Sequence, residues 1–207
     1  HEIVNDTVNE IPVAVTYCPL CNSAVAHDRR HEGRVLELGV SGALWNSSLV
    51  MFDRQTFSLW SHFTGEGLVG MFAGDRLASF PVGLASWAEF RDAHPDGIVL
   101  SRDTGFTRDY GRNPYAGYDD PDGRPFLFDG EADPRLPPLA RVVAVRAEGG
   151  PAVAVPLVDL LDRAVWEFEA QGRSVVALLD PGTASLLDGD DVAGGYDQGA
   201  VGVFLDD

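Results

Sequence analysis

The chain carries two cysteines, and they stand together in Tyr17-Cys18-Pro19-Leu20-Cys21. The flanks of this motif constrain the fold. Before it, Ile11 to Tyr17 (Ile-Pro-Val-Ala-Val-Thr-Tyr) is a short β-branched run that reads as a buried strand. After it, the strand-like Ala24 to Asp28 begins within a few residues. Pro19 therefore marks a turn between strands. A thioredoxin-type site sets its cysteine pair at the start of a long helix, which lowers the thiol pKa. With a strand in that place, the thioredoxin fold is disfavoured and dithiol chemistry is not.

The same rhythm of short apolar runs and turn residues continues. Ala24 to Asp28 and Val35 to Val40 flank Arg30-His31-Glu32-Gly33, a hairpin signal. Ser48 to Asp53 and Ser58 to Phe63 follow, separated by Arg54-Gln55-Thr56. Residues 8–80 thus read as an antiparallel sheet of short strands. The clearest helix is Leu84 to Ala93, with Ser86 and Glu89 in capping-box spacing and Pro95 as its stop. Residues 105–139 are rich in Gly, Pro, Asp and Arg and read as a long loop anchored by Phe106, Tyr110, Tyr115, Tyr118, Phe126 and Phe128. A strand over Arg141 to Ala147, a helix over Val158 to Ala170 and a strand over Ser174 to Leu179 complete the reading. The fold class is α+β, mainly antiparallel β with a few helices.

An internal echo divides the chain. Val13 to Ser23 overlays Val175 to Ser185 at a constant offset of 162. Pro19 falls on Pro181 and Ser23 on Ser185, while Cys18 falls on Asp180 and Cys21 on Thr183. This predicts a domain over 1–140 that carries the cysteines and the long loop. Residues 141–207 are expected to begin a degenerate second repeat, packed on the first and truncated. The chain opens and closes in mid-pattern, which reads as a segment of a longer protein.

Composition excludes some functions. The chain has 32 Asp plus Glu against 15 Lys plus Arg, a net charge of −17, and all its basic residues are Arg. Such a surface repels nucleic-acid phosphates and anionic lipid. The sequence has no run of about 18 apolar residues to span a membrane. A Ser-His-Asp arrangement, a phosphate loop and a dinucleotide fingerprint are all missing.

The chemistry therefore rests on Cys18 and Cys21. Two thiols at this spacing can close into a disulfide, share a soft metal ion or pass electrons to a partner. A structural zinc needs four ligands; there is no second cysteine pair, and the histidines do not follow Cys21 at zinc-finger spacing. A soft monovalent ion such as Cu(I) is satisfied by two thiolates plus a His or Met. His62 in Trp60-Ser61-His62-Phe63 and Met51 in Val50-Met51-Phe52 are the candidates to complete that site. Thiol redox chemistry is the leading expectation, with metal binding as its alternative: the more exposed thiol attacks, and with Cys18 in that role Cys21 resolves. The third reading is a non-enzymatic binding module, with the pair as a staple of the kind small exported domains use. The partner would be a redox protein or a small molecule.

Several phrases together resemble a known family. They are His1-Glu2-Ile3-Val4-Asn5-Asp6, Val13 to Cys21, Leu49-Val50-Met51-Phe52-Asp53-Arg54-Gln55-Thr56, Ser101-Arg102-Asp103-Thr104-Gly105 and Asn113-Pro114-Tyr115-Ala116-Gly117-Tyr118. Their order is similar to that in the bacterial and archaeal family called domain of unknown function 3179, with the resemblance running over residues 1–140 and fading beyond. The resemblance implies a Cys-Pro-x-Cys site in which some relatives carry selenocysteine, which favours redox or metal work. It also implies an extracytoplasmic protein, since relatives carry export or lipoprotein signals upstream. Departures are His27 where an aromatic is usual, Ser48 where an aspartate is usual, and Phe57 where Glu or Gly is common. His27 is thereby a further candidate ligand.

Overall fold

The computed structural model describes residues 2–145 and 152–206. It is built mainly of antiparallel strands, with two short α-helices. The chain forms two compact units, His1–Val82 with Pro125–Ala132, and Gly83–Arg124 with Asp133–Asp207. Among the described residues no helix is long and apolar enough to cross a membrane.

In the first unit, β1 (Ile3–Val8), β2 (Ile11–Cys18) and β3 (Ser23–Asp28) form an antiparallel meander. Asn9 and Glu10 make its first turn, both at positive φ, as a two-residue hairpin loop requires. The expected Arg30–Gly33 hairpin is present in miniature as β4 (Arg30–His31) and β5 (Arg34–Val35). A second sheet comprises β6 (Leu38–Trp45), β7 (Ser48–Asp53), β8 (Leu59–Ser61) and β9 (Gly67–Val69). The single sheet expected over residues 8–80 is thus several, and β10 (Ser79–Phe80) returns to pair with β3. Asn5 links the two four-stranded sheets, because its side chain both donates to and accepts from the Leu38 backbone, at 2.8 and 2.9 Å.

Between them lies a core of Ala14, Cys18, Leu36, Leu38, Leu49, Met51, Trp60, Phe72 and Leu77. Trp60 is fully buried, and its indole N–H donates to Asp53 at 2.9 Å. The sequence sets Asp directly before Arg at Asp28-Arg29-Arg30 and at Asp53-Arg54, and the two places differ. Asp28 does pair with Arg30, whereas Asp53 caps the Thr56 turn and leaves Arg54 to Glu37.

The second unit opens with α1 (Trp87–Ala93). Its Ser86–Glu89 capping box forms in both directions, so the helix starts after the cap and not at Leu84. The hairpin β11 (Val142–Val145) and β12 (Val153–Pro156) leads into α2 (Leu157–Arg163). Part of the strand expected over Arg141 to Ala147 lies outside the described residues. The helix expected over Val158 to Ala170 is wrong in its second half. Ala164 turns left-handed at φ 62, and β13 (Val165–Ala170) follows. The alternation Val-Trp-Glu-Phe-Glu-Ala has a period of two and suits a half-buried strand better than a helix. A meander of β13, β14 (Arg173–Asp180) and β15 (Ala200–Leu205) closes the chain.

Candidate metal and thiol centre

The turn that carries the cysteines is tightly closed. Cys18 ends β2 and pairs with Ser23, the first residue of β3. Within the turn the Asn22 N–H donates to the Pro19 carbonyl at 3.2 Å, and Asn22 adopts a left-handed φ of 44, a conformation asparagine tolerates. The Tyr17 hydroxyl meets the Asn22 side-chain oxygen at 2.8 Å and fixes it.

The second sheet supplies the histidine. His62 follows β8 directly, and its N–H donates to the Leu49 carbonyl at 3.2 Å. The Leu49 N–H in turn approaches the Cys18 sulfur at 3.4 Å. One residue of β7 therefore ties two would-be ligands together. The Cys18 and Cys21 sulfurs and a His62 ring nitrogen all lie within 4.8 Å of one another, the one such group of His, Cys or acidic side chains among the described residues. Cys18 and His62 are buried and Cys21 is half-buried, and both cysteines are free thiols.

The polar atoms of this cluster are unusually idle. Neither Nδ1 nor Nε2 of His62 has a hydrogen-bond partner, although the ring is fully buried. The Ser23 hydroxyl, shielded from solvent beside Cys18, is also unpartnered. Buried polar atoms are nearly always hydrogen-bonded, so three idle atoms around two sulfurs set this cluster apart from the rest of the core.

A family model described as Protein of unknown function (DUF3179) matches residues 1–206. The chain belongs to that family. The match runs past residue 140, where the resemblance of the quoted motifs ends, and takes in the second unit. No curated protein and no solved structure matches the chain.

In this DUF3179 protein the two thiols are electrostatically unequal. A hydrogen bond from Cys18 is the main force holding the Cys21 thiol down at about 4 against the opposing effect of burial. The Ser48 hydroxyl, at 3.4 Å from its sulfur, adds to this, and His62 and Ser23 act in the same direction from beyond hydrogen-bond distance. Cys18 is pushed up, first by that same bond and then by burial. The hydrogen bond between the two sulfurs favours loss of one proton from the pair, with Cys21 the more acidic partner.

Of the residues singled out from sequence, Cys18, Cys21 and His62 converge. Met51 lies in the same buried core cluster as Cys18, on β7 opposite Trp60. His27, the extra candidate ligand, lies outside the cluster, and both of its ring nitrogens are engaged elsewhere. Sequence reasoning missed Ser23 and Leu49 as neighbours of the sulfurs. It noted Ser48 only as a departure from the family pattern. These residues meet through strand register, which the spacing along the chain does not reveal.

Proposed function

We propose that this protein binds a soft metal ion, Cu(I) foremost, through Cys18, Cys21 and His62. The observation that carries this reading is the fully buried His62 ring with both nitrogens unpartnered, within 4.8 Å of two sulfurs. Leaving a buried polar group unsatisfied costs about 1–3 kcal/mol, and a metal taking one ring nitrogen removes part of that cost. Two sulfurs and one imidazole suit a soft monovalent ion. Zn(II) with a water in the fourth position is the competing occupant of a Cys2His set. Met51 is the remaining soft donor of the cluster. An extracytoplasmic setting, implied by the family resemblance, belongs to the same proposal.

The test is competition of the reduced protein against a chromophoric Cu(I) chelator, with a Zn(II) titration beside it. We expect Cu(I) binding well below micromolar that His62→Ala weakens strongly. Binding no tighter than micromolar for either ion removes the proposal.

A second reading, thiol redox chemistry, is favoured by the half-exposed, low-pKa Cys21 beside the buried Cys18. It reverses the order of attack expected from sequence. The Cys21 thiolate attacks a partner disulfide and expels one partner thiolate. Cys18, losing its proton to solvent, then attacks the Cys21 sulfur and expels the second. The partner gains two electrons and the pair closes as a disulfide. Free-thiol counts that do not change between strong reductant and a disulfide oxidant would sink this reading.

A further inference from the structure

Resting on the metal reading, we propose that His27 is a positioning residue of the centre: it orients His62 by clamping that residue's carbonyl. His27 lies on β3, is fully buried, and places Nε2 at 3.0 Å from the His62 carbonyl oxygen. A carbonyl only accepts, so Nε2 carries the proton. Nδ1 is then the acceptor, and it takes the Ser79 hydroxyl at 3.2 Å. Burial disfavours the charged form of this ring, in keeping with a neutral imidazole committed at both ends.

The clamp matters because His62 is not in a strand. It stands in the turn after β8, where only two bonds hold its backbone: its N–H on the Leu49 carbonyl, and its carbonyl on His27. The same turn closes with Gly65 N–H donating to Ser61 at 2.9 Å. Gly65 sits at φ +67, and a Cβ there would come within 3.1 Å of the His27 ring. The turn is thus shaped to admit an imidazole. His27 and Leu49 together fix the peptide on either side of the His62 Cα, while the side chain is left with no other polar tether. Groups that orient a metal-bound histidine are worth about 10- to 100-fold in metal affinity.

The test compares His27→Phe, which removes both bonds, with His27→Gln, whose amide can donate to His62 and accept from Ser79. Leu36→Ala serves as a control: it perturbs the same core without touching these bonds. Each variant is titrated with Cu(I) against the chelator, and the Cu(I) form is read by X-ray absorption for imidazole scattering. We expect His27→Phe to weaken Cu(I) binding by about 10-fold or more and to lose imidazole scattering. His27→Gln should restore both. Leu36→Ala should lower the melting temperature with affinity and scattering retained. Should His27→Phe fail to fold, Ser79→Ala reads the same clamp from its anchor, with a smaller loss in the same direction. Wild-type affinity and scattering in His27→Phe, or in Ser79→Ala if that variant is used, overturns the inference alone. If the wild-type protein binds no Cu(I), or His62→Ala binds as tightly as wild type, the metal reading falls and this inference with it.

Discussion

The β1–β2–β3 meander and the β13–β14–β15 meander share strand lengths and register and differ in what their polar groups do. Ile3 faces Thr16 as Val165 faces Leu178, and Cys18 faces Ser23 as Asp180 faces Ala200. The turns Asn9-Glu10 and Gln171-Gly172 are both at positive φ. After β14, however, the connection runs over residues 181–199, and carboxylates take up its donors. Asp197 accepts from the amides of Gly182 and Gly199, Thr183 donates to Glu89, and Ser185 donates to Asp119, itself 3.5 Å from Arg141. The connection after β2 is the short Cys-Pro-Leu-Cys turn, with an imidazole and a serine hydroxyl left idle. One connection has its donors taken up by the protein's own carboxylates, with the buried Gln198 oxygen left over, and the other sets an unpartnered imidazole and hydroxyl beside two thiols.

The sharpest way to break this contrast is to exchange the key residues of each meander. The Cys18→Ser, Cys21→Ser double variant should lose all Cu(I) binding tighter than micromolar in the chelator competition. The matching Asp180→Asn, Thr183→Val pair should leave binding as in wild type. Submicromolar binding by the serine variant would erase the distinction.

Protonation gives the next largest effect. The folded pair favours loss of one proton, because Cys21 is held at about 4 while Cys18 is pushed up. Once unfolded, both thiols return towards 9.0 and hold two protons at neutral pH. For Cys21 the depressed value adds stability that is fully present above 9 and lost as pH falls towards 4. For Cys18 the raised value adds stability present below 9 and lost as pH climbs above it. The metal-free first unit should therefore be most stable near pH 9 as far as the pair is concerned. At pH 7, thiolate ultraviolet absorbance should report one thiolate per native molecule and almost none in urea. Two protonated thiols in the native protein would contradict the asymmetry.

The sequence makes the turn legible and leaves its surroundings dark. Cys18 and Cys21 stand out because they are the only cysteines, and His62 because a soft ion needs a third donor. The β2 run and the Asn9-Glu10 turn follow from β-branching and turn chemistry, and α1 from its capping box. Other features depend on tertiary contacts. Ser23 meets Cys18 through register, and Leu49 reaches both Cys18 and His62 because β7 and β8 pair in one alignment among several that the pattern allows. Val165 to Ala170 reads as helix when its apolar residues are counted in a long window, since Leu157 to Arg163 just before it is helical. Only the left-handed Ala164 separates the two periods.

Two serines that match in the sequence echo but not in strand register, Ser23 and Ser185, give a smaller and more local test. Ser185→Ala removes a donor from the buried Asp119 carboxylate and should destabilise the second unit by about 1–3 kcal/mol. Ser23→Ala removes a hydroxyl that has no close hydrogen-bond partner and only helps to hold the Cys21 thiol down, so it should cost the metal-free first unit less than Ser185→Ala costs the second. Amide exchange in β14 and in β2 reads the two effects separately. This suits a chain of two units, where a single melting curve need not report one transition. Equal losses would mean that the Ser23 hydroxyl has a partner after all.

Met51 gives the smallest effect, and it decides whether the proposed centre has three donors or four. Met51 and Cys18 share one buried core cluster, and the Met51 side chain is fully enclosed. Leucine has nearly the same volume, so Met51→Leu should cost less than about 1.5 kcal/mol by denaturation. Three donors already satisfy a soft monovalent ion, so we expect the variant to weaken Cu(I) binding by less than about 10-fold, short of what an orienting partner of a ligand is worth. A loss as large as that of His62→Ala would make the thioether a ligand. The centre would then be built from four side chains, with β7 contributing a donor of its own as well as the Leu49 backbone.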